Sequence, residues 1–314
     1  MENFKMTPDR SYLPGMKTVM ADKAQRNSVN YAKDVVYVTR GEQELKLQLL
    51  LPGDVMPPMP GMERPADRPA PKKRHPVLIY VPGSAWFKQY DYGPVPNLTD
   101  FVRAGFVVAS VEYRASNVAG WPAFLQDVKS AIRFLRANAD DYAIDPEQFA
   151  IHGNSSGGHA TLMVALTGDF PEFKTEDNAE YSDAVQAAAD FYGPSDVTKI
   201  NDFPRNPVFT ADKEHIPEDI LYGGCVIDHP EISQPGNPLN YISEDREIPP
   251  ILIAHGDADE MVPFNQSFMV AEKLMACKKT VEFYKVVGAG HGIGFDMVKM
   301  NGIVIDFLKA YLFV

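Results

Sequence analysis

AIHGNSSGGHA, residues Ala150 to Ala160, places a serine two residues after one glycine and two residues before another, so that Gly153-Asn154-Ser155-Ser156-Gly157 reads as G-x-S-x-G. Gln148 to His152 ahead of it reads as a short buried strand, and Gly158 to Leu166 behind it as a helix of small residues. A serine on a sharp strand-to-helix turn needs neighbours without bulk at both glycine positions, because other backbone approaches it closely there. Ser155 meets both conditions, whereas Ser156, with Asn154 and Gly158 at the same offsets, meets only one. The bare pattern is common in loops; the strand before it and the helix after it make Ser155 the candidate nucleophile.

Outward from this turn, strand and amphipathic helix alternate. Strands at Val77 to Val81 and Phe106 to Val111 precede it, with helices at Asn97 to Ala104 and Ala123 to Asn138. Strands at Val185 to Phe191, Ile251 to Ala254 and Thr280 to Val287 follow, with a helix from Phe264 to Ala276 and another after Gly294. The alternation implies crossover units and an α/β class, a mostly parallel central sheet with helices on both faces. Sites in such sheets lie beyond the carboxyl ends of the strands. Val35 to Thr39 and Glu44 to Leu51, around Arg40-Gly41, read as an antiparallel pair.

Residues 1–34 show no clean period and are expected to form an N-terminal arm, leaving 35–314 as one domain. Two stretches interrupt it. Residues 52–76 form a proline-rich loop, whose prolines lack backbone donors and hold extended geometry. Residues 193–249 hold many prolines and scattered aromatics, among them Phe203, Phe209, Tyr222 and Tyr241, with no convincing strand; a stretch of that kind reads as a cap or lid insertion.

A serine hydroxyl needs a base within hydrogen-bond reach and a third group to orient that base. Only His291 of the seven histidines follows the last strand, within Gly288-Ala289-Gly290-His291-Gly292, and it leaves room for an acid earlier in the chain. After the strand at Ile251, Asp257, Asp259 and Glu260 all qualify by composition; Asp259 is preferred for its reach past the strand end, with Asp257 second. A turn aspartate capping the next helix is the alternative reading of Asp259. Pro82-Gly83-Ser84-Ala85-Trp86 is a small-residue turn that exposes amides, so Ser84 or Ala85 together with Ser156 could supply the donors of an oxyanion hole. Trp86 either lines a substrate pocket or packs under the loop. His152, His159 and His255 have no second ligand at metal spacing and read as packing or supporting residues, and Asp196 as a turn aspartate. No metal and no cofactor are called for: neither G-x-x-x-x-G-K-[ST] nor G-x-G-x-x-G stands in a strand-to-helix setting.

Composition narrows the partners. The 314 residues carry a net charge of −12, with 45% hydrophobic and 23% charged residues, which fits a globular protein and opposes nucleic acid. No run approaches the length of a membrane span, and MENFKMTPDRSYLPG lacks a basic start followed by an apolar stretch, so a cytoplasmic protein without a secretory signal is the expectation. The composition is compatible with a homo-oligomer.

Taken together, VPGSAW, GNSSGG, HGDADEMVP and GAGHG resemble the α/β-hydrolase superfamily from about residue 35 onward. Within it the chain is similar to bacterial carboxylesterases of the hormone-sensitive lipase type, particularly feruloyl and acetyl xylan esterases. The resemblance implies an α/β-hydrolase fold with a cap and a small-molecule ester substrate, with Ser155 as nucleophile, Asp259 as acid and His291 as base. Two departures stand out: Pro82-Gly83-Ser84-Ala85-Trp86 replaces the usual H-G-G-G-W, and Asn154 the usual aspartate before the nucleophile. Two other readings share parts of the pattern. One is a prolyl oligopeptidase-like peptidase, for which the chain leaves no room for a large access-restricting domain; the other is a hydrolase-fold protein that binds a ligand without turning it over.

Overall fold

The computed structural model describes residue 17 and residues 28–56, 71–203, 205–206 and 216–312. Most of the expected arm, residues 57–70 of the proline-rich loop, and Phe209 lie outside them. Eight strands form one sheet: β1 (Val29–Arg40), β2 (Gln43–Pro52), β3 (His75–Val81), β4 (Val107–Val111), β5 (Ile144–Asn154), β6 (Ala187–Phe191), β7 (Ile251–Gly256) and β8 (Val281–Val286). Their spatial order is β1-β2-β4-β3-β5-β6-β7-β8. β1 pairs with β2, and β2 with β4, antiparallel; every other pairing is parallel.

Parallel strands covered on both faces lose the in-out alternation and become continuous apolar runs. β4 is buried at every residue, and so is β7. One face is covered by α2 (Ala123–Ala137), α3 (Ser156–Leu166) and α5 (Asn265–Ala276), whose Phe124, Leu162 and Val270 join the core with Leu47, Ile79 and Ile151. On the other face, α1 (Val95–Arg103) and α6 (Met297–Leu312) bring Phe101 and Phe307 against Leu50, Leu78 and Ala150. Among the described residues, no helix is long and apolar enough to cross a membrane.

The first strand begins earlier than expected. β1 starts at Val29, inside the stretch read as an arm, because register shifts between Ala32 and Val35 and between Val36 and Val38 break the two-residue period a strand is recognised by. Asp34 sits in the first of these with φ of 55°. Residues 193–249 contain, where described, only short turns of helix: 3₁₀ segments at Val197–Lys199, Pro230–Gly236 and Pro238–Tyr241, and α4 at Pro217–Tyr222.

Candidate active site

Ser155 stands between the last residue of β5 and the first of α3, with φ of 55° and ψ of −128°. A side chain held there is strained, and the packing around it enforces the turn. A Cβ at Gly157 would lie 1.9 Å from the Val81 carbonyl oxygen, and one at Gly153 2.3 Å from that of Gly157. Both glycines of the motif are therefore required by backbone contact. The Ser155 amide donates to the Phe191 carbonyl at 2.9 Å, tying the turn to β6.

His291 reaches this serine from the loop after β8. Its Nε2 lies 2.8 Å from Ser155 Oγ, and its Nδ1 lies 2.7 Å from Asp259 Oδ2. A carboxylate cannot donate, so Nδ1 carries the proton and Nε2 is the acceptor facing the serine hydroxyl. Asp259 is 7% exposed, and its Oδ1 accepts from the amides of Met261 at 2.8 Å and Val262 at 2.9 Å. Burial disfavours its charge, but hydrogen bonds from His255 and His291, the His291 charge and the Val262 amide outweigh burial and hold the carboxyl well below its usual range. Asp257 is placed elsewhere: exposed, it accepts from the Gly288 amide at 2.6 Å and faces Lys285. Of the sequence candidates, Asp259 is the one that meets the histidine.

His255, read from the sequence as a packing or supporting residue, lies against Asp259. Its Nδ1 accepts from the Ser267 hydroxyl at 2.7 Å, so its Nε2 proton is shared between the Val262 carbonyl at 2.9 Å and Asp259 Oδ2 at 3.3 Å. Tyr192 was missed: with φ of 43°, it packs its ring edge-on to His291 at 4.8 Å. Its only sequence signal is its place directly after β6. Asp196 caps the 3₁₀ turn that follows it, accepting from the Thr198 amide, and His152 packs in the core with its Nδ1 on the Ala189 carbonyl.

The loop after β3 bears on two alternatives that the sequence left open. The Ser84 amide donates to Ser156 Oγ at 2.9 Å and is therefore committed, whereas the amides of Ala85 and Ser156 have no acceptor among the described residues. Ala85 and Trp86 take φ of 51° and 60°, which turns the backbone at this point. Trp86 is only 3% exposed. Its indole N–H donates to His159 Nδ1 at 3.1 Å, and His159 Nε2 in turn donates to the Gly236 carbonyl at 2.7 Å. Packing under the loop is thus the reading of Trp86 that holds, because a buried indole finds its hydrogen-bond partner there.

Set beside known proteins, residues 67–274 match the family model described as BD-FAE. The chain belongs to the BD-FAE family. Esterase LipQ of Mycobacterium tuberculosis is 32% identical over 246 residues, 77% of this chain and 56% of LipQ. The chain spans about half the length of the curated relatives it matches. Among solved structures, a truncated carbohydrate esterase from gut microbiota is similar at a TM-score of 0.72 and 27% identity, over 92% of this chain and 99% of that one. Esterase Est2 of Thermogutta terrifontis, at a TM-score of 0.67 and 22% identity over 91% of this chain and 93% of that one, shares the fold. The architecture is an α/β-hydrolase fold.

In this BD-FAE chain, the asparagine before Ser155 has a definite task. Asn154 Oδ1 accepts from the Gly83 amide at 3.1 Å and from the Tyr80 hydroxyl at 3.0 Å, while its Nδ2 donates to the Tyr192 hydroxyl at 3.3 Å. An aspartate could accept the first two bonds but not donate the third. Asn154 therefore joins the Gly83 loop, the serine turn and the ring beside His291 in one network.

Proposed function

We propose that this protein is a serine carboxylic-ester hydrolase acting through an acyl-enzyme on short-chain acyl, or acetyl and feruloyl, esters of plant-derived saccharides. The observation that carries the reading is the continuous hydrogen-bonded series Ser155–His291–Asp259, at 2.8 and 2.7 Å. Ser155 Oγ attacks the ester carbonyl as His291 Nε2 takes its proton. Charge develops on the carbonyl oxygen, toward which the uncommitted amides of Ala85 and Ser156 are the available donors. The alcohol leaves with the proton held by His291; water then attacks the acyl carbon as the same nitrogen takes its proton, the bond to Ser155 Oγ breaks as that oxygen recovers the proton from His291, and the acid is released.

Ester hydrolysis is supported by the named function of LipQ, and a sugar-borne ester by likeness to a carbohydrate esterase. The test is hydrolysis of p-nitrophenyl acetate, butyrate and octanoate and of methyl ferulate by wild type and Ser155→Ala. The expected result is turnover of acetate and ferulate with a burst of p-nitrophenol, and a loss of about 10⁴-fold or more in the variant. Full activity in Ser155→Ala, or ligand binding with no turnover of any ester, would overturn the reading.

A further inference from the structure

We infer that the groove over β1, β2 and the loop 88–92 is a binding site for an uncharged oligosaccharide chain; the inference rests on the reading above that the hydrolysed esters are borne by sugars. The groove has a volume of about 770 Å³ and begins at Lys88 and Glu112. These residues follow β3 and β4 at the carboxyl edge of the parallel strands, the edge that carries Ser155. β4 is two strands from β5 in the sheet, so at about 4.8 Å per strand the near end lies on the order of 10 Å from the serine. From there it runs away across β2 to β1. A chain seated in it could present one end toward the serine.

Its lining is unusual for a surface. Tyr90, Tyr92 and Tyr31 are 63%, 52% and 43% exposed, and the rings of Tyr90 and Tyr92 lie 4.1 Å apart. Rigid tyrosines give large contact area at low cost in side-chain freedom, and their rings offer flat faces to the C–H faces of a sugar. These positions are built. A Cβ at Gly93 would lie 2.2 Å from the Tyr90 ring, so the ring occupies the space that only glycine leaves. Buried Gln48 accepts from the Tyr31 hydroxyl at 2.5 Å and donates at 2.8 Å to both Asp34 and Asp91. Gln89, also buried, accepts from the Tyr113 amide at 2.8 Å, and the Tyr113 hydroxyl lies 3.1 Å from Ser84 Oγ and 3.3 Å from Ser156 Oγ. The groove loop is thus anchored to the turn beside the nucleophile.

Charge selects the occupant. Each lysine of the groove faces a carboxylate: Lys88 pairs with Glu112, Lys33 with Asp34 and Lys46 with Glu44. A polyanion would need unpaired cations, and a protein partner an apolar centre. The fourth carboxylate of the lining, Asp91, is buried and takes the Gln48 amide; exposed aromatic faces among paired lysines fit an uncharged polyhydroxyl chain.

The test uses unesterified xylohexaose and cellohexaose, which cannot be turned over, titrated calorimetrically into wild type, Tyr90→Ala/Tyr92→Ala and Tyr90→Phe/Tyr92→Phe. At least one hexasaccharide is expected to bind wild type with Kd of about 1 mM or tighter. The alanine pair should weaken this about tenfold or more, while the phenylalanine pair keeps it. Turnover of p-nitrophenyl acetate should stay within about twofold in both pairs, since a small ester does not reach the groove. Binding of neither sugar, or binding unaffected by the alanine pair, would overturn the proposal. Because p-nitrophenyl acetate reports on Ser155 alone, failure of the groove and failure of the esterase reading give different results.

Discussion

Asp259 is held from four directions, by the amides of Met261 and Val262 on one oxygen and by His291 and His255 on the other. Its depressed acidity fixes a sign. A carboxyl whose folded value lies below its unfolded one adds stability that is complete above the unfolded value, about 3.9, and is lost only as pH falls through the folded one. Asp259 therefore stays ionised wherever an ester assay is run. An amide at this position keeps the backbone bonds through its oxygen but turns an N–H₂ toward His291, moving the imidazole proton to Nε2 and removing the acceptor that faces Ser155. Asp259→Asn is expected to lower kcat on p-nitrophenyl acetate by roughly 10⁴-fold. Asp257→Asn, at a side chain that accepts from the Gly288 amide and pairs with Lys285, should stay within about threefold. Equal losses in the two variants would show that the orienting acid has been misassigned.

The strand-turn-helix element carrying Ser155 rests on β6, and there Asp190 is buried behind the turn. Its Oδ1 accepts from the Gly193 amide at 3.0 Å and sits where a Cβ of Gly158 would be, while its Oδ2 has no hydrogen-bond partner among the described residues. Burial pushes this carboxyl up to about 7, with the Gly193 amide opposing. Between pH 4 and 7 the folded protein therefore holds a proton that the unfolded chain has released, and stability falls as pH rises, by roughly 4 kcal/mol across the interval. Buried His152 and His159, both pulled down to about 4 by desolvation, act in the opposite sense between about 4 and 6.5. A comparison with Asp190→Asn cancels their part, because the amide keeps the Gly193 bond and both proteins share the histidines. Urea unfolding at pH 5 and pH 8 should show the variant gaining on wild type as pH rises; parallel curves would show that Asp190 does not titrate in this range. The element itself was legible in the sequence because each of its requirements is local: a buried strand, two bulk-free positions and a small-residue helix. The role of Asp190 was not, because it depends on Gly158 and Gly193 meeting across two elements.

The same divide between local and long-range information runs through the whole molecule. The order of strands and helices, Ser155 and His291 followed from periodicity and chain order. The choice between Asp257 and Asp259, the committed Ser84 amide and the buried Trp86 required distances between segments far apart in sequence. Helix α2 gives the clearest case. Lys129 and Arg133, one turn apart on an amphipathic helix, look like part of a solvated face, yet both side chains are fully buried, because residues 167–185 fold across them. Asp183, itself fully buried, takes Lys129 Nζ at 2.7 Å and Arg133 at 2.9 Å, and also accepts from the Asp169 amide at 2.9 Å. Arg40, at the end of β1, binds Asp127 on the same helix at 3.1 Å and Asp177 at 2.5 Å. This layer of ion pairs, with no part in the proposed chemistry, fastens the first strand and the segment after α3 to α2. Removing the central acid leaves two cations without their shared counter-charge in a site closed to water, and breaking a buried pair from one side costs far more than the intact pair contributes. Asp183→Ala is thus expected to lower unfolding free energy by about 3–5 kcal/mol, read as a fall in the urea midpoint. Glu244→Ala, which breaks the exposed pair with Lys278, should leave the midpoint unchanged. Similar small shifts in both would mean that water reaches Lys129 and Arg133, and that this layer does not hold the sheet to its covering segment.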